Sequence, residues 1–150
     1  MRVTTWTEYS LIISLHLARR RRGGQGAISA RELSEVERLP ADYVEQILLR
    51  LRRSGLVDSI RGAKGGYTLA RDAEAITVHD VMTASEHQTF EMNCDHHPLD
   101  GERCAPGKCS IRPMWFALQK RIDGFLRGVS LADLLHDETD VQRLVSLSPP

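Results

Sequence analysis

Three cysteines lie close together in the second half of the chain, at Cys94, Cys104 and Cys109. An odd number of cysteines, with no secretion signal at the N-terminus, does not fit a disulfide framework. Clustered thiols in a reducing compartment bind metal or take part in redox chemistry. Three thiolates suit either an iron–sulfur cluster or a structural zinc ion, and they leave one ligand position open.

A glycine-rich segment, residues 61–66, could contact phosphate, because it places Arg61 and Lys64 among glycines. Glycines let the backbone approach a phosphate or a minor groove closely, and the cations neutralise its charge. A nucleotide-binding loop has a similar composition, but no helix begins directly after this segment, and the spacing matches neither a P-loop nor a dinucleotide fingerprint. The composition therefore favours nucleic-acid contact.

The charges are unevenly distributed along the chain. Residues 1–71 contain 13 Lys and Arg against 7 Asp and Glu, whereas residues 72–150 contain 7 against 13. This asymmetry indicates that the first half faces a polyanion. Alternatively, the two halves neutralise each other where two copies of the chain meet.

The elements that position these side chains are mainly helical. Apolar residues at three- and four-residue spacing predict a first helix from Thr4 to about Arg20, ending in cations and the flexible residues 23–26. The residues at this spacing, which define one face of the predicted helix, are Tyr9, Ile12, Ile13 and His16.

A short second helix is indicated by a capping box. The Ser29 hydroxyl and the Glu32 carboxylate can each satisfy a backbone amide at the start of a helix. The pattern predicts a helix that ends near Val36, with Leu33 and Val36 pointing inward.

A longer third helix follows after a tight connection. Pro40 suits a first helical turn, Asp42 and Glu45 give a second capping signal, and Gly55 ends the helix. The apolar side is predicted to hold Tyr43, Val44, Ile47, Leu48 and Leu51, and the polar side Gln46, Arg50 and Arg53. A short helix, a tight turn and a longer basic helix predict a helix-turn-helix.

A β-hairpin is predicted directly after this helix pair. Residues 56–60 alternate like a strand, residues 61–66 form a glycine-rich turn, and residues 67–70 return as a second strand. A hairpin in this position is a wing, so the first half of the chain reads as a winged helix-turn-helix.

The second half begins with another capped helix, at Thr77 and Asp80, and then loses all periodicity over residues 85–110. A helix resumes near Ile111, with Pro113 in its first turn. Its apolar stripe contains Trp115, Leu118, Ile122, Phe125 and Leu126. No later segment is large enough to cover this stripe, so packing against a second copy is expected.

The predicted fold class is mainly α with a small β-hairpin. Residues 1–84 form the winged helix-turn-helix, 85–110 a cysteine-bearing sensor loop, 111–136 a dimerisation helix and a short cap helix whose start is capped by Ser130 and Asp133, and 137–150 a flexible tail. The absence of a signal pattern and of an apolar run of about 18 to 20 residues predicts a cytoplasmic protein without membrane contact.

The chain resembles the IscR/NsrR family of winged-helix regulators, bacterial dimeric repressors and activators, many of which sense through an iron–sulfur cluster. The resemblance runs from Met1 to about Leu135. The segments that match the family are residues 1–4 with Glu8-Tyr9, residues 43–47 with 51–52, residues 54–57, the wing at 61–67, and the cysteine loop before a Trp-bearing helix.

The resemblance implies a DNA interface on the third helix and the wing. Base readers would be Tyr43, Glu45 and Gln46, and phosphate contacts would be Arg50, Arg61 and Lys64. Tyr43 could instead face the core, and Glu45 could serve only as a cap. One departure is Arg38, which stands in the turn where the family often has Gly.

The resemblance also implies a cluster held by Cys94, Cys104 and Cys109, with 2Fe-2S favoured over 4Fe-4S and zinc as the alternative. Some relatives place a His where Arg112 stands here. Others take an acidic ligand from the first helix of the partner subunit, and Glu8 matches that position. The remaining possibilities are His96, His97 or no fourth protein ligand.

Together these features predict a homodimeric regulator that grips a roughly palindromic operator in double-stranded DNA, with half-sites about one helical turn apart. Gain, loss or redox change of the cluster would alter the geometry of the two DNA-reading units. The chain is expected not to be an enzyme, because no catalytic constellation accompanies the cysteines. The alternatives are a regulator with a structural zinc site and a redox or electron-transfer protein.

Overall fold

Helices account for most of residues 3–86 and 109–147, which are the residues described by the computed structural model of the chain. The helices are α1 (Thr5–Arg22), α2 (Ala30–Glu37), α3 (Ala41–Arg53), α4 (Val78–Glu86), α5 (Arg112–Arg127) and α6 (Glu138–Leu147). The strands β1 (Val57–Ile60) and β2 (Gly66–Leu69) form an antiparallel hairpin, and short 3-10 turns span Ala73–Ala75 and Asp133–Leu135. The predicted class is confirmed.

The core lies where α1 meets α2, α3, α4 and the base of the hairpin. Its fully buried side chains include Ile13, Leu17, Leu33, Val44, Ile47, Leu48, Leu51, Val57, Leu69 and Ile76. The apolar side predicted for the third helix is confirmed, since its four aliphatic residues are fully buried and Tyr43 is half-buried.

The buried face of α1 differs from the predicted one. Ile12 is 36% exposed, while Ser10, Ile13, Ser14 and Leu17 are buried. Apolar periodicity missed this face because two serines belong to it. Their small side chains occupy the side of α1 that is buried between its neighbours, where a larger residue would hold the helices apart.

Two smaller predictions about α2 and α3 are wrong. Val36 is 57% exposed, because the less exposed positions of α2 are Ala30, Leu33, Ser34 and Glu37 at three- and four-residue spacing. Asp42 makes no capping bond, since α3 begins at Ala41 and Asp42 therefore lies inside the first turn.

The hydroxyl half of the cap predicted at Ser29 is confirmed, and both halves are present at Thr77 and at Ser130. The Glu32 amide donates to the Ser29 hydroxyl oxygen at 3.1 Å. Before α4, the Thr77 amide donates to the Asp80 carboxylate at 2.9 Å and the Asp80 amide donates to the Thr77 hydroxyl oxygen at 3.2 Å. Ser130 and Asp133 repeat the same reciprocal arrangement before the last 3-10 turn.

The C-terminal end of α5 contacts the start of α4, and much of the surface of α5 is exposed. The Val78 amide donates to the Val129 carbonyl oxygen at 2.9 Å, and the His79 Nε2 and Arg127 guanidinium nitrogens lie 3.2 Å apart. Helix α5 itself has no fully buried residue.

Residues 138–147 form α6 rather than the flexible tail that was predicted. The prediction overlooked the half-buried residues Val141, Leu144 and Val145, whose spacing is helical. Within 3–86 and 109–147, none of the helices is long and apolar enough to cross a membrane.

Candidate nucleic-acid interface and cysteine segment

The turn between α2 and α3 contains only Arg38, Leu39 and Pro40. Arg38 has φ 54° and ψ 40°, which is the left-handed conformation. The Leu39 amide donates to the Ser34 carbonyl oxygen at 3.0 Å, and the Ser34 hydroxyl donates to the Leu39 carbonyl oxygen at 2.7 Å. The turn therefore keeps a conformation that usually favours glycine, although Arg38 occupies it.

The polar face of α3 is open at the start of the helix. Asp42, Glu45 and Gln46 are exposed, on the side away from the buried aliphatic residues. Their short connection to α2 and the burial of the opposite face hold these side chains on a rigid helix. This is the geometry by which a recognition helix enters a major groove.

Tyr43 belongs to an aromatic cluster as well as to the start of α3. Its ring centroid lies 4.7 Å from that of Trp6 and 5.6 Å from that of Tyr9. Tyr43 therefore helps to hold α3 against α1, as the core-facing alternative predicted. Whether it also contacts a base stays a prediction.

Arg50 is engaged inside the chain. Its guanidinium carbon lies 4.2 Å from the centre of the Trp6 ring, and a guanidinium N–H donates to the Ser85 carbonyl oxygen. These contacts join α3 to α1 and to the end of α4. The guanidinium thus has a structural use that was not predicted from the sequence, and whether its remaining N–H groups also contact phosphate stays a prediction.

The wing presents its cations at an exposed tip. The strands pair Val57 with Leu69 and Ile60 with Gly66, which leaves residues 61–65 as the connecting loop. Arg61 and Lys64 are exposed and make no hydrogen bond or ion pair with another residue in the described part of the chain. Both cations are available to an external anion.

The base of the wing is locked to the segment between α1 and α2. The Tyr67 amide donates to the Ile28 carbonyl oxygen at 2.7 Å, and the Ile28 amide donates to the Tyr67 carbonyl oxygen at 3.1 Å. Gly66 has φ +145°, and a Cβ there would lie 2.3 Å from the Ile28 carbonyl oxygen.

We expect Gly66→Ala to lower the free energy of unfolding by about 2–3 kcal/mol, because it combines a disfavoured φ with a backbone clash. Urea unfolding followed by circular dichroism measures the change. Gly26→Ala is the control, since a Cβ at Gly26 would meet nothing within 4 Å. Equal stability of the two variants would show that the Ile28–Tyr67 lock contributes little.

Among the predicted cluster ligands, Cys109 lies within the described residues. It stands just before α5 and is half-buried. The backbone amides of Arg112 and Ile111 donate to its sulfur and hold the pKa of the thiol below its ordinary value. Because the thiolate is the metal-binding form, this environment fits a ligand to iron or zinc.

The other predicted cysteine and histidine ligands lie outside the described residues, at Cys94, Cys104, His96 and His97. Residues 3–86 and 109–147 alone contain no group of three or more side chains that could hold a metal ion. Glu8 is exposed in the first turn of α1, and its carboxylate has no hydrogen-bond or ion-pair partner among these residues.

The contacts that hold the end of α4 were not predicted from the sequence. Besides the Arg50–Ser85 hydrogen bond, the Thr4 hydroxyl donates to the Glu86 carboxylate. These partners are 35 and 82 positions apart in the chain, so local spacing contains no signal for them. They connect α1 and α3 to the last two residues of α4.

Comparison with known proteins places these features in a family context. Residues 3–137 match the family model described as "Rrf2: Iron-dependent Transcriptional regulator". The chain is 34% identical over 139 residues to the HTH-type transcriptional regulator IscR of Serratia proteamaculans, covering 92% of this chain and 81% of the relative. It is 38% identical over 149 residues to a putative HTH-type transcriptional regulator of Azotobacter vinelandii, covering 98% and 86%.

Solved structures show the same architecture. T. potens IscR superposes with a TM-score of 0.69 at 30% identity, covering 90% of this chain and 86% of that one. CymR, the global cysteine regulator of B. subtilis, superposes with a TM-score of 0.70 at 30% identity, covering 90% and 96%.

Proposed function

Since the chain belongs to the Rrf2 family of transcriptional regulators, we propose that it binds a specific operator as a homodimer and that a metal cluster controls this binding. Family membership itself makes the chain a DNA-binding regulator and not an enzyme. The operator contacts, the dimer and the cluster are the proposed parts.

The proposed mode of DNA binding rests on one observation: the start of α3 and the tip of the wing are both exposed on the same winged unit. The exposed start of α3 offers Glu45 and Gln46, and the wing tip offers Arg61 and Lys64 without partners in the described chain. In the proposed complex Gln46 pairs with adenine, and Glu45 accepts a hydrogen bond from the amino group of cytosine. The wing cations contact phosphate or enter a minor groove.

The two surfaces should respond differently to mutation. We expect Lys64→Ala to weaken binding to all duplexes alike and to flatten the salt dependence by about one unit for each phosphate that a protomer no longer neutralises. Gln46→Ala should cost about 1–3 kcal/mol on the operator and relax base preference at one position of each half-site. Fluorescence anisotropy with operator and scrambled duplexes over a salt series measures both effects.

Lys120→Ala is the control for removal of one exposed charge, because Lys120 lies on α5, outside the winged unit. If Lys64→Ala binds every duplex with unchanged affinity and salt slope, the wing has no place in the interface. If Gln46→Ala keeps full base preference, α3 does not read sequence through this residue.

The proposed homodimer uses the open face of α5. Of the predicted stripe, Leu118 and Phe125 are exposed, whereas Trp115, Ile122 and Leu126 are half-buried. The exposed Ile111 and Met114 extend this face, because spacings of three, four and seven residues align them with Leu118 and Phe125. A second copy of the same helix supplies a matching apolar surface. Two winged units would then face DNA together and favour a palindromic operator.

The proposed cluster is held by Cys94, Cys104 and Cys109, with Glu8 of the partner subunit as the favoured fourth ligand. The support is the thiolate-favouring position of Cys109 and the family's description as iron-dependent. Such a cluster, 2Fe-2S rather than 4Fe-4S in this proposal, supplies a redox- and iron-sensitive group. A structural zinc ion at the same cysteines is the second candidate.

The contacts at the end of α4 suggest how the cysteine segment communicates with α3. Arg50 and Thr4 hold Ser85 and Glu86, which are the last two residues of α4 and the first two of the predicted cysteine-bearing segment. A displacement of the α4 end would therefore move the Arg50 guanidinium, which extends from α3 and packs on the Trp6 ring. This coupling is allosteric if the two states of the segment favour different positions of α3.

A further inference from the structure

Arg38 is the one non-glycine residue with positive φ in residues 3–86 and 109–147. A left-handed backbone brings Cβ close to the following carbonyl oxygen, and glycine avoids that contact. A charged side chain is therefore kept where a smaller residue would make the fold more stable. Such an outlier points to a role outside folding.

The turn does not need the Arg38 side chain for its own geometry. The backbone amide of Arg38 donates to the Ser34 carbonyl oxygen, and the remaining hydrogen bonds join Ser34 and Leu39. The side chain is exposed, and its guanidinium makes no hydrogen bond or ion pair with any residue that the structure describes.

The charged residues around the turn are mostly acidic, and Arg38 is the cation among them. From Glu32 to Leu49, Arg38 is the only Lys or Arg, against the five carboxylates Glu32, Glu35, Glu37, Asp42 and Glu45. Glu35 pairs with Arg31 and Glu37 with His16, whereas the exposed Asp42 and Glu45 are unpaired within the described chain. The end of α3 that would enter the groove therefore repels phosphate.

We propose that Arg38 contacts a DNA phosphate beside the start of α3 and offsets the repulsion from Asp42 and Glu45. Arg38 precedes α3 by three residues, so it lies next to the base-reading end of that helix. A turn in this position borders the groove wall, where contacts orient the helix without reading sequence. This inference rests on the proposed use of α3 and adds a contact that the wing and Gln46 do not supply.

The test compares Arg38→Gly, Arg38→Asn and Arg38→Lys. Arg38→Gly should raise Tm by about 2–5 °C, because it removes the left-handed strain. It should also weaken binding to operator and scrambled duplexes by the same factor, on the order of tenfold for two contacts per dimer. The slope of log affinity against log salt should fall by about 2 units.

The other variants separate charge from flexibility. Asn tolerates the left-handed region, so Arg38→Asn should lose DNA affinity like Arg38→Gly without adding backbone freedom. Arg38→Lys should keep the affinity and the salt slope. Arg143→Gln on α6 removes one remote charge and should leave both quantities unchanged.

Unchanged affinity and salt slope in Arg38→Gly would overturn the inference, and so would an unchanged Tm. A loss in Arg38→Lys as large as in Arg38→Gly would also overturn it, because charge would then not be the cause. If the unmodified protein binds no duplex at all, the proposed function itself fails, and this is seen before any variant is compared.

Discussion

Leu118→Glu should convert the proposed homodimer to a monomer that keeps its helical fold. Leu118 is 39% exposed in the single chain and lies in the middle of the apolar stripe on α5. The single chain tolerates a glutamate there because water reaches the site. Across a dimer contact each buried carboxylate costs about 3–5 kcal/mol, and the symmetric contact contains two. Light scattering after size exclusion, over a range of protein concentrations, measures the molar mass.

Lys120→Glu is the matched control for the introduced charge. Lys120 is exposed and lies two positions after Leu118 on α5, which places it on a different face of the helix. This variant should remain dimeric. Phe125→Glu, at a site 46% exposed in the single chain, should repeat the effect of Leu118→Glu. A dimer of unchanged stability in both stripe variants would rule out α5 as the interface.

Cys109→Ala is expected to abolish the visible charge-transfer absorption of anaerobically purified protein while leaving its far-ultraviolet circular dichroism unchanged. Cys109 precedes α5 and is only half-buried, so its removal leaves the core intact. Loss of one of the three proposed thiolates leaves too few ligands for an iron–sulfur cluster, and residues 3–86 and 109–147 contain no other group of three or more side chains that could hold a metal ion. Absorption spectra with iron and sulfide analysis measure the outcome.

Ser110→Ala is the control beside Cys109, and it should keep the absorption because its exposed hydroxyl is not among the proposed ligands. Glu8→Ala should leave the cluster present but more labile, while His96→Ala and His97→Ala should be nearly silent. If a histidine variant loses the cluster and Glu8→Ala does not, Glu8 is not the fourth ligand. Stoichiometric zinc without iron or sulfide would remove cluster sensing and leave DNA binding in place.

The sequence predicted those parts of the fold that short-range chemistry determines. Capping at Ser29, Thr77 and Ser130 depends on residues three positions apart, and the hairpin depends on alternation around a glycine-rich turn. The apolar side of α3 followed from its period. Each of these features is local in the chain, so spacing is enough to find it.

The errors concern features that only tertiary packing decides. Ile12 faces outward because serines form part of the buried side of α1, and Val36 faces outward because the less exposed face of α2 is formed by Ala30, Leu33, Ser34 and Glu37. Asp42 is not a cap because Pro40 occupies the N-cap position and α3 begins at Ala41, which places Asp42 inside the first turn.

The same distinction between local and tertiary features applies to the candidate DNA interface. The exposed cations of the wing and the polar start of α3 could be predicted from residue type and position. The internal engagement of Arg50 could not, because its partners Trp6 and Ser85 lie on two other helices. The sequence drew attention to Arg38 as a departure from glycine, but only its backbone conformation shows that the turn is unchanged.

Selection from a pool of randomised DNA duplexes, performed with the unmodified protein, tests the central claim most directly. We predict enrichment of one two-fold symmetric motif, with half-sites about one helical turn apart. The same selection with Gln46→Ala should lose base preference at one symmetric pair of positions. Binding without any enriched motif, or enrichment of a single motif without two-fold symmetry, would contradict a homodimer that reads its operator through α3.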